Sequence, residues 1–268
     1  MVATISEMAV VDPRAELAED VEIGPFCVVG PHVHLGRATR LISQVTLSGR
    51  VRLGQQNTLY PGVVIGAEPQ DVTYRGQPTR VVIGDHNVIR EGVTINRASD
   101  KDRGVTRIGS RCYLMACSHV AHDCQIGDGV ILANGTLLAG HVRVEPHATL
   151  SGNVGVHHFT TIGSYSFVSG LSRVLHDVPP YMLVEGSPAR PRCLNRVGLK
   201  RHDFSEETLE ALTEAYRLIY RTRVGLDHAR EVLRNRGQLI PQVNHFLNFV
   251  QEQQEGHYGR ARERRRAA

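Results

Sequence analysis

The protein is a chain of 268 residues, 41% hydrophobic and 22% charged, with a formal net charge of +4. This balance suits a folded domain with a sizeable core, and no uncharged apolar run approaches membrane-spanning length. With 26 glycines, 12 prolines and no tryptophan, the composition favours turn-rich β structure over a helical bundle.

The first residues, MVATISEMAVVDPRAEL, hold no basic segment followed by an apolar one, so no export signal is read there. Five cysteines without a paired spacing suit a reducing compartment, and a cytoplasmic location is expected. From Ile5 every sixth residue is aliphatic: Val11, Leu17, Ile23, Val29, Leu35 and onward to Ile65. The register lapses over 66–82, returns at Ile83, Ile89 and Ile95, lapses over 96–107, and then runs unbroken from Ile108 to Val174. Four places after each aliphatic the residue is usually small, as at Val33, Thr39, Ser118 and Ala148. Glycine often follows the aliphatic directly, as at Gly24, Gly36, Gly109 and Gly127. Neither the helix period nor the strand period explains a strict six. Short strands joined by corners do, with the aliphatic and the small residue inward and glycine relieving the bend. Three hexads make one turn of a solenoid, so residues three hexads apart stack, roughly 4.8 Å per coil.

After Val174 the phrase HDVPPYMLVEGSPARP ends the repeat. Ser205, followed by Glu206 and Glu207, predicts a helix start, and Leu209, Leu212, Tyr216, Ile219 and Tyr220 continue it. A second helix is expected over 226–235, ending near Gly237, and a third from near Pro241. The expected division is a β-helix over 1–190, with loop insertions at 66–82 and 96–107, and an α-helical region over 191–268. The closing GRARERRRAA holds much of the positive charge but no interleaved aromatics, so it reads as a solvated tail and not as a nucleic-acid site.

Spacing alone leaves HVAHDC, residues 119–124, open between a zinc clip with Cys117, a base with its neighbours, and core residues. The register sorts them. Cys124 is an inward small position, like Cys27 and Cys112, whereas Cys117, His119 and His122 point outward, so one strand would have to face two ways to form the clip. His122, Gly140, His158 and His176 fall in one column, with His141 and His157 flanking it. The bare rung at Gly140 separates His122 from His158 by roughly 9–10 Å and makes this edge a pocket candidate. Histidine there suits general-base work on a sugar hydroxyl or amine. Asp123 either fixes the His122 tautomer, which requires a corner between them, or caps local amides.

The blocks VGPHVHLG (29–36), GQPTRVVIGDHNVIREGVTINR (76–97), HVAHDC (119–124), ILANGTLLAGHV (131–142), DVPPYMLVEG (177–186) and GLKRHDFS (198–205) closely resemble the UDP-N-acetylglucosamine acyltransferases of lipid A synthesis. The resemblance runs nearly end to end and implies a left-handed prism that assembles as a homotrimer with active sites between subunits. It implies transfer of a 3-hydroxyacyl group from acyl carrier protein to the glucosamine 3-position of UDP-N-acetylglucosamine, with no metal or organic cofactor. His122 matches the family's general base, Asp123 its partner, and Gly140 the glycine whose N–H stabilises the thioester oxyanion. His119, His141 and His157 match substrate-positioning histidines, with His158 beside them. Asp71, Asn195 and Arg201 match residues around the nucleotide sugar or donor. Gly170, stacked on Gly152, matches the position that sets acyl length, and these two bare rungs are either a lane for a long chain or glycines required by the corner.

Five departures from the family pattern concern the nucleotide end more than the chemistry. Thr73 stands for a lysine, His158 for a glutamine, Val197 and His202 for charged residues, and NRASD (96–100) for a His-Arg-Gly-Thr-like segment. Arg192, Arg196, Lys200 and Arg201 form a candidate landing patch for the acidic carrier. The alternatives are a sister prism enzyme that acylates an amino group and a zinc carbonic anhydrase-like prism with histidines bridging subunits.

Overall fold

The computed structural model describes residues 3–257 and 259, so of the basic tail only Gly259 falls among them. The hexads form strands, many of them two residues long, that stack in parallel into three sheets. Each sheet takes every third hexad. Ile23 pairs with Leu41 on the first face, Val29 with Leu47 on the second, and Leu35 with Leu53 on the third. The architecture is the expected left-handed parallel β-helix followed by helices. Inside it Leu35, Leu47, Leu53, Leu59 and Ile65 are fully buried, and Cys27, Cys112 and Cys124 take the inward small positions. Burying one such aliphatic side chain is worth about 1.5–3 kcal/mol, and each coil shares its contacts only with the coils above and below.

The glycines that follow the aliphatics do not relieve the bend. The left-handed backbone falls two residues later, on non-glycine residues such as Phe26, Ala38 and Arg111, although after Gly127 it falls on Gly129. Glycine is needed instead because consecutive coils touch there. A Cβ on Gly109 would stand 2.7 Å from the carbonyl carbon of Gly127, and one on Gly127 would stand 2.7 Å from the nitrogen of Pro146.

Both lapses in the register leave the prism at one edge. On the second face Val64–Ala67 pairs with Thr94–Asn96, which pairs with His119–Val120. The insertions that follow the first two strands therefore emerge from the same edge as the corner that follows Val120. Beyond Val174, Ile162 bridges to Val178, and the hairpin Met182–Gly186 with Ala189–Leu194 extends the first sheet. The expected division at 190/191 falls within this hairpin.

Helix α1 (Arg196–Arg201) was not suggested by the apolar spacing. Helix α2 (Glu206–Tyr216) starts as expected, with the Ser205 hydroxyl accepting the Thr208 N–H at 3.2 Å, and continues as a π-helical turn over Arg217–Arg221. Helices α3 (Leu226–Asn235) and α4 (Pro241–Gln254) complete the described chain. Among the described residues no helix is long and apolar enough to cross a membrane.

Candidate active site

Val120, Leu138, Val156 and Val174 stand in register on the second face, so His122, Gly140, His158 and His176 occupy successive corners of the next edge. The chain turns at the following residue, where Asp123, His141 and Phe159 have φ of 62°, 62° and 65°. That turn is the corner a His122–Asp123 pairing requires. His122 Nδ1 lies 2.8 Å from Asp123 Oδ2.

The rung at Gly140 is occupied by the imidazole itself. A Cβ there would stand 2.7 Å from His122 Nε2 and 2.6 Å from its Cε1. With Nδ1 engaged by Asp123, Nε2 has no hydrogen-bond partner among the described residues, and His122 borders a cleft of about 630 Å³. His119, Leu137, Gly155, His157, His158 and Arg173 line the same cleft. The Gly140 N–H makes no hydrogen bond among the described residues.

The other histidines divide by environment. His119 Nδ1 is 2.7 Å from the Thr94 hydroxyl, and burial, with the nearby His122, pushes its pKa below the ordinary value. His141 lies behind the cleft, its ring stacked on Phe159 at 4.5 Å and edge-on to His122 at 5.3 Å. His176 leaves the group and lines a separate cavity with Asp177, Tyr216 and Tyr220.

His122 points out of the prism, as expected, yet is only 7% exposed, and the second insertion is anchored on its partner Asp123. Ser99, in that insertion, donates its N–H and its hydroxyl to Asp123 Oδ2 at 3.0 and 2.6 Å. The Asp123 N–H is donated to the Thr106 hydroxyl at 2.9 Å. Burial alone would raise the Asp123 pKa, but the hydrogen bonds from His122 and Ser99 outweigh it and hold the carboxyl below its ordinary range. Asp71 does not line the cleft, although its neighbour Gln70 does. Its carboxylate accepts from Lys101 at 2.6 Å and from the N–H and hydroxyl of Thr73 at 2.9 and 2.8 Å. Lys101 first, then Thr73, hold it well below the ordinary carboxylate range. Sequence reasoning missed Ser99, Lys101 and Thr106, because the insertion has no period to read. The available signal was that the lapses follow Ile65 and Ile95, which share a column with Val120.

Asn195 and Arg201 are not brought to His122 within one chain. They line a second cavity, of about 860 Å³, with His147, Tyr165, Val197 and His202. Asn195 also accepts the Gly198 N–H at 3.2 Å and donates to the Tyr165 carbonyl at 2.9 Å, so it fixes the start of α1. The expected basic patch is largely neutralised: Arg192 pairs with Glu185 at 3.2 Å, Arg196 with Glu206 at 2.8 Å, and Lys200 with Glu206. Gly170 and Gly152 lie outside the His122 cleft, and neither has the left-handed backbone that would demand glycine; Leu171 and Asn153 carry that turn.

No Cys/His clip forms, since Cys124 is buried with its thiol on the Ala139 carbonyl while Cys117 is exposed on the surface. His122, Asp123 and His141 do bring ligand-capable atoms within 4.8 Å of one another. Nδ1 of His122 and Oδ2 of Asp123 point at each other as hydrogen-bond partners, however, and both would have to turn to face a common ion.

Residues 177–258 match the family described as UDP-N-acetylglucosamine O-acyltransferase, domain 2, and residues 106–140 match the bacterial transferase hexapeptide repeats. The acyl-[acyl-carrier-protein]–UDP-N-acetylglucosamine O-acyltransferase of Thermodesulfovibrio yellowstonii is 44% identical over 252 residues, covering 94% of this chain and 98% of that protein. Its namesake from Syntrophobacter fumaroxidans is 45% identical over 253 residues, with the same 94% and 98% coverage. The crystal structure of the UDP-N-acetylglucosamine acyltransferase of Bacteroides fragilis superposes with a TM-score of 0.88 at 34% identity, covering 92% of this chain and 97% of that one. With such identity along nearly its whole length, this chain belongs to the acyl-[acyl-carrier-protein]–UDP-N-acetylglucosamine O-acyltransferase family and is an acyltransferase.

Proposed function

We propose that the protein transfers a 3-hydroxyacyl group from acyl carrier protein to the glucosamine 3-hydroxyl of UDP-N-acetylglucosamine, the first step of lipid A synthesis, as a cytoplasmic homotrimer. One observation carries this reading: His122 meets Asp123 through Nδ1 at 2.8 Å while its Nε2 edge overhangs Gly140 at the border of an open cleft. The names of the relatives supply the substrates. Family membership sets aside the carbonic anhydrase-like reading.

In this reading His122 Nε2 takes the proton of the acceptor hydroxyl as its oxygen bonds to the thioester carbonyl carbon. The carbonyl oxygen becomes an oxyanion, which the unspent Gly140 N–H stabilises. Collapse re-forms the carbonyl and breaks the carbon–sulfur bond, and the departing thiolate takes the proton back from His122. The atoms balance without a further reactant. Asp123 keeps the imidazole oriented, while His119, His157 and His158 line the substrate path. Asn195 and Arg201 would serve the cleft of a neighbouring subunit, and Asp71 and Gly170 would meet the nucleotide sugar and the acyl chain.

The test is to incubate purified protein with UDP-N-acetylglucosamine, or its 3-amino analogue, and a ladder of 3-hydroxyacyl carrier proteins, and to weigh the products. An O-acylated sugar nucleotide is expected. Product from the 3-amino analogue alone would move the reading to an N-acyltransferase, and no product with any pair would sink it.

A further inference from the structure

The second insertion departs from the family pattern at Asn-Arg-Ala-Ser-Asp, and that is where it reaches the site. Three residues of one short run each meet a different group. Ser99 donates to Asp123, Lys101 to Asp71, and Asp102 Oδ2 lies 4.0 Å from His141 Nδ1.

We propose that Ser99 is a positioning residue for the His122–Asp123 pair: its N–H and hydroxyl converge on the carboxylate oxygen that accepts from His122 and hold it in the one orientation that keeps the imidazole proton on Nδ1. Asp123 is 2% exposed and sits in the left-handed region at φ 62°, and its other oxygen, Oδ1, has no hydrogen-bond partner among the described residues. A buried carboxylate bonded through one oxygen alone is free to turn about its Cβ–Cγ bond and carry that oxygen out of line with Nδ1. The Ser99 donors, at 3.0 and 2.6 Å, pin the oxygen where the imidazole meets it at 2.8 Å. The Asp123 N–H, bonded to Thr106, fixes the backbone from the other end of the insertion. Nε2 of His122 is thereby left as the basic nitrogen on the side of Gly140.

His122 is faced by Asp123, by His119 on the preceding strand and by His141 across the corner, with His157 and His158 along the cleft. Asp123 is faced by His122, Ser99 and His141, whose Nε2 is 3.7 Å away. Removing the Ser99 hydroxyl frees the carboxylate to turn away from Nδ1, and the imidazole loses the partner that fixes its tautomer. The consequence for rate rests on the proposed function, but the placement of the proton does not.

The experiment is nitrogen-15 NMR of labelled histidine in the full-length protein, comparing wild type, Ser99→Ala and Ser99→Thr without substrate. Wild type should show His122 protonated on Nδ1. Ser99→Ala should show a mixture of tautomers, and Ser99→Thr should return the Nδ1 form. Should the alanine chain not fold, Ser99→Cys, close in size and a weaker donor, carries the same expectation. An unchanged tautomer in the variant overturns the proposal, even if acyl transfer is intact. With an active donor in hand, kcat of Ser99→Ala should fall about tenfold and Ser99→Thr should restore it. A fall in rate with the tautomer unchanged would show that Ser99 merely packs the loop.

Discussion

At Gly140 one methyl group would collide with the ring that the site depends on. A Cβ there cannot be accommodated unless His122 moves, and displacement of a reacting group by about 1 Å can cost 10²-fold in rate. Gly140→Ala is therefore expected to lower kcat by about that factor while thermal unfolding stays near that of wild type. Asp123 makes a prediction of the opposite kind, about stability and pH. Its folded pKa lies below the unfolded one, so its stabilising contribution is present above the unfolded pKa and is lost as pH falls through the folded value. Below about pH 4 the melting temperature should fall less steeply in Asp123→Asn than in wild type. Gly170→Met tests the acyl lane. Gly170 has no left-handed backbone, although a Cβ there would press on the Gly152 carbonyl oxygen at 3.3 Å; with melting temperature as the folding control, the variant should shift donor preference toward shorter chains, and unchanged preference would remove Gly170 from the site.

At the scale of elements, Ser205→Ala removes the cap of α2 and should cost about 1 kcal/mol in chemical denaturation. That cap, the strands and the inward cysteines were legible because each follows from a local pattern: a hydroxyl before two glutamates, or an aliphatic every sixth residue. The role of the glycines was misread, because a clash between coils is not visible in one coil's sequence. Gly109 meets Gly127, which in turn meets Pro146, and only stacking brings these together. The His122 column was readable for the same reason as the strands. Its surroundings were not: Ser99 reaches Asp123 from an insertion with no period, and His141 turned out to sit behind the cleft, against Phe159. Helix α1 escaped notice because its six residues bury only Leu199.

At the scale of the whole molecule, two cavities divide the expected site. His122 borders one, and Asn195 and Arg201 border the other. In the proposed trimer the cleft of one subunit would meet the second cavity of its neighbour. Two variants, His122→Ala and Arg201→Ala, should each be weak alone, and mixing their chains by co-expression should recover activity through sites that take one intact residue from each. Mixed trimers no better than the weaker parent would place both residues in the site of a single chain.

In the proposed reaction His122 removes the acceptor proton. The most direct measurement is kcat of His122→Ala against wild type with UDP-N-acetylglucosamine and the best 3-hydroxyacyl carrier donor, with melting temperature as the control for folding. A loss of about 10²–10⁴-fold, with folding retained, is the predicted result. A folded His122→Ala that keeps the wild-type rate would contradict it.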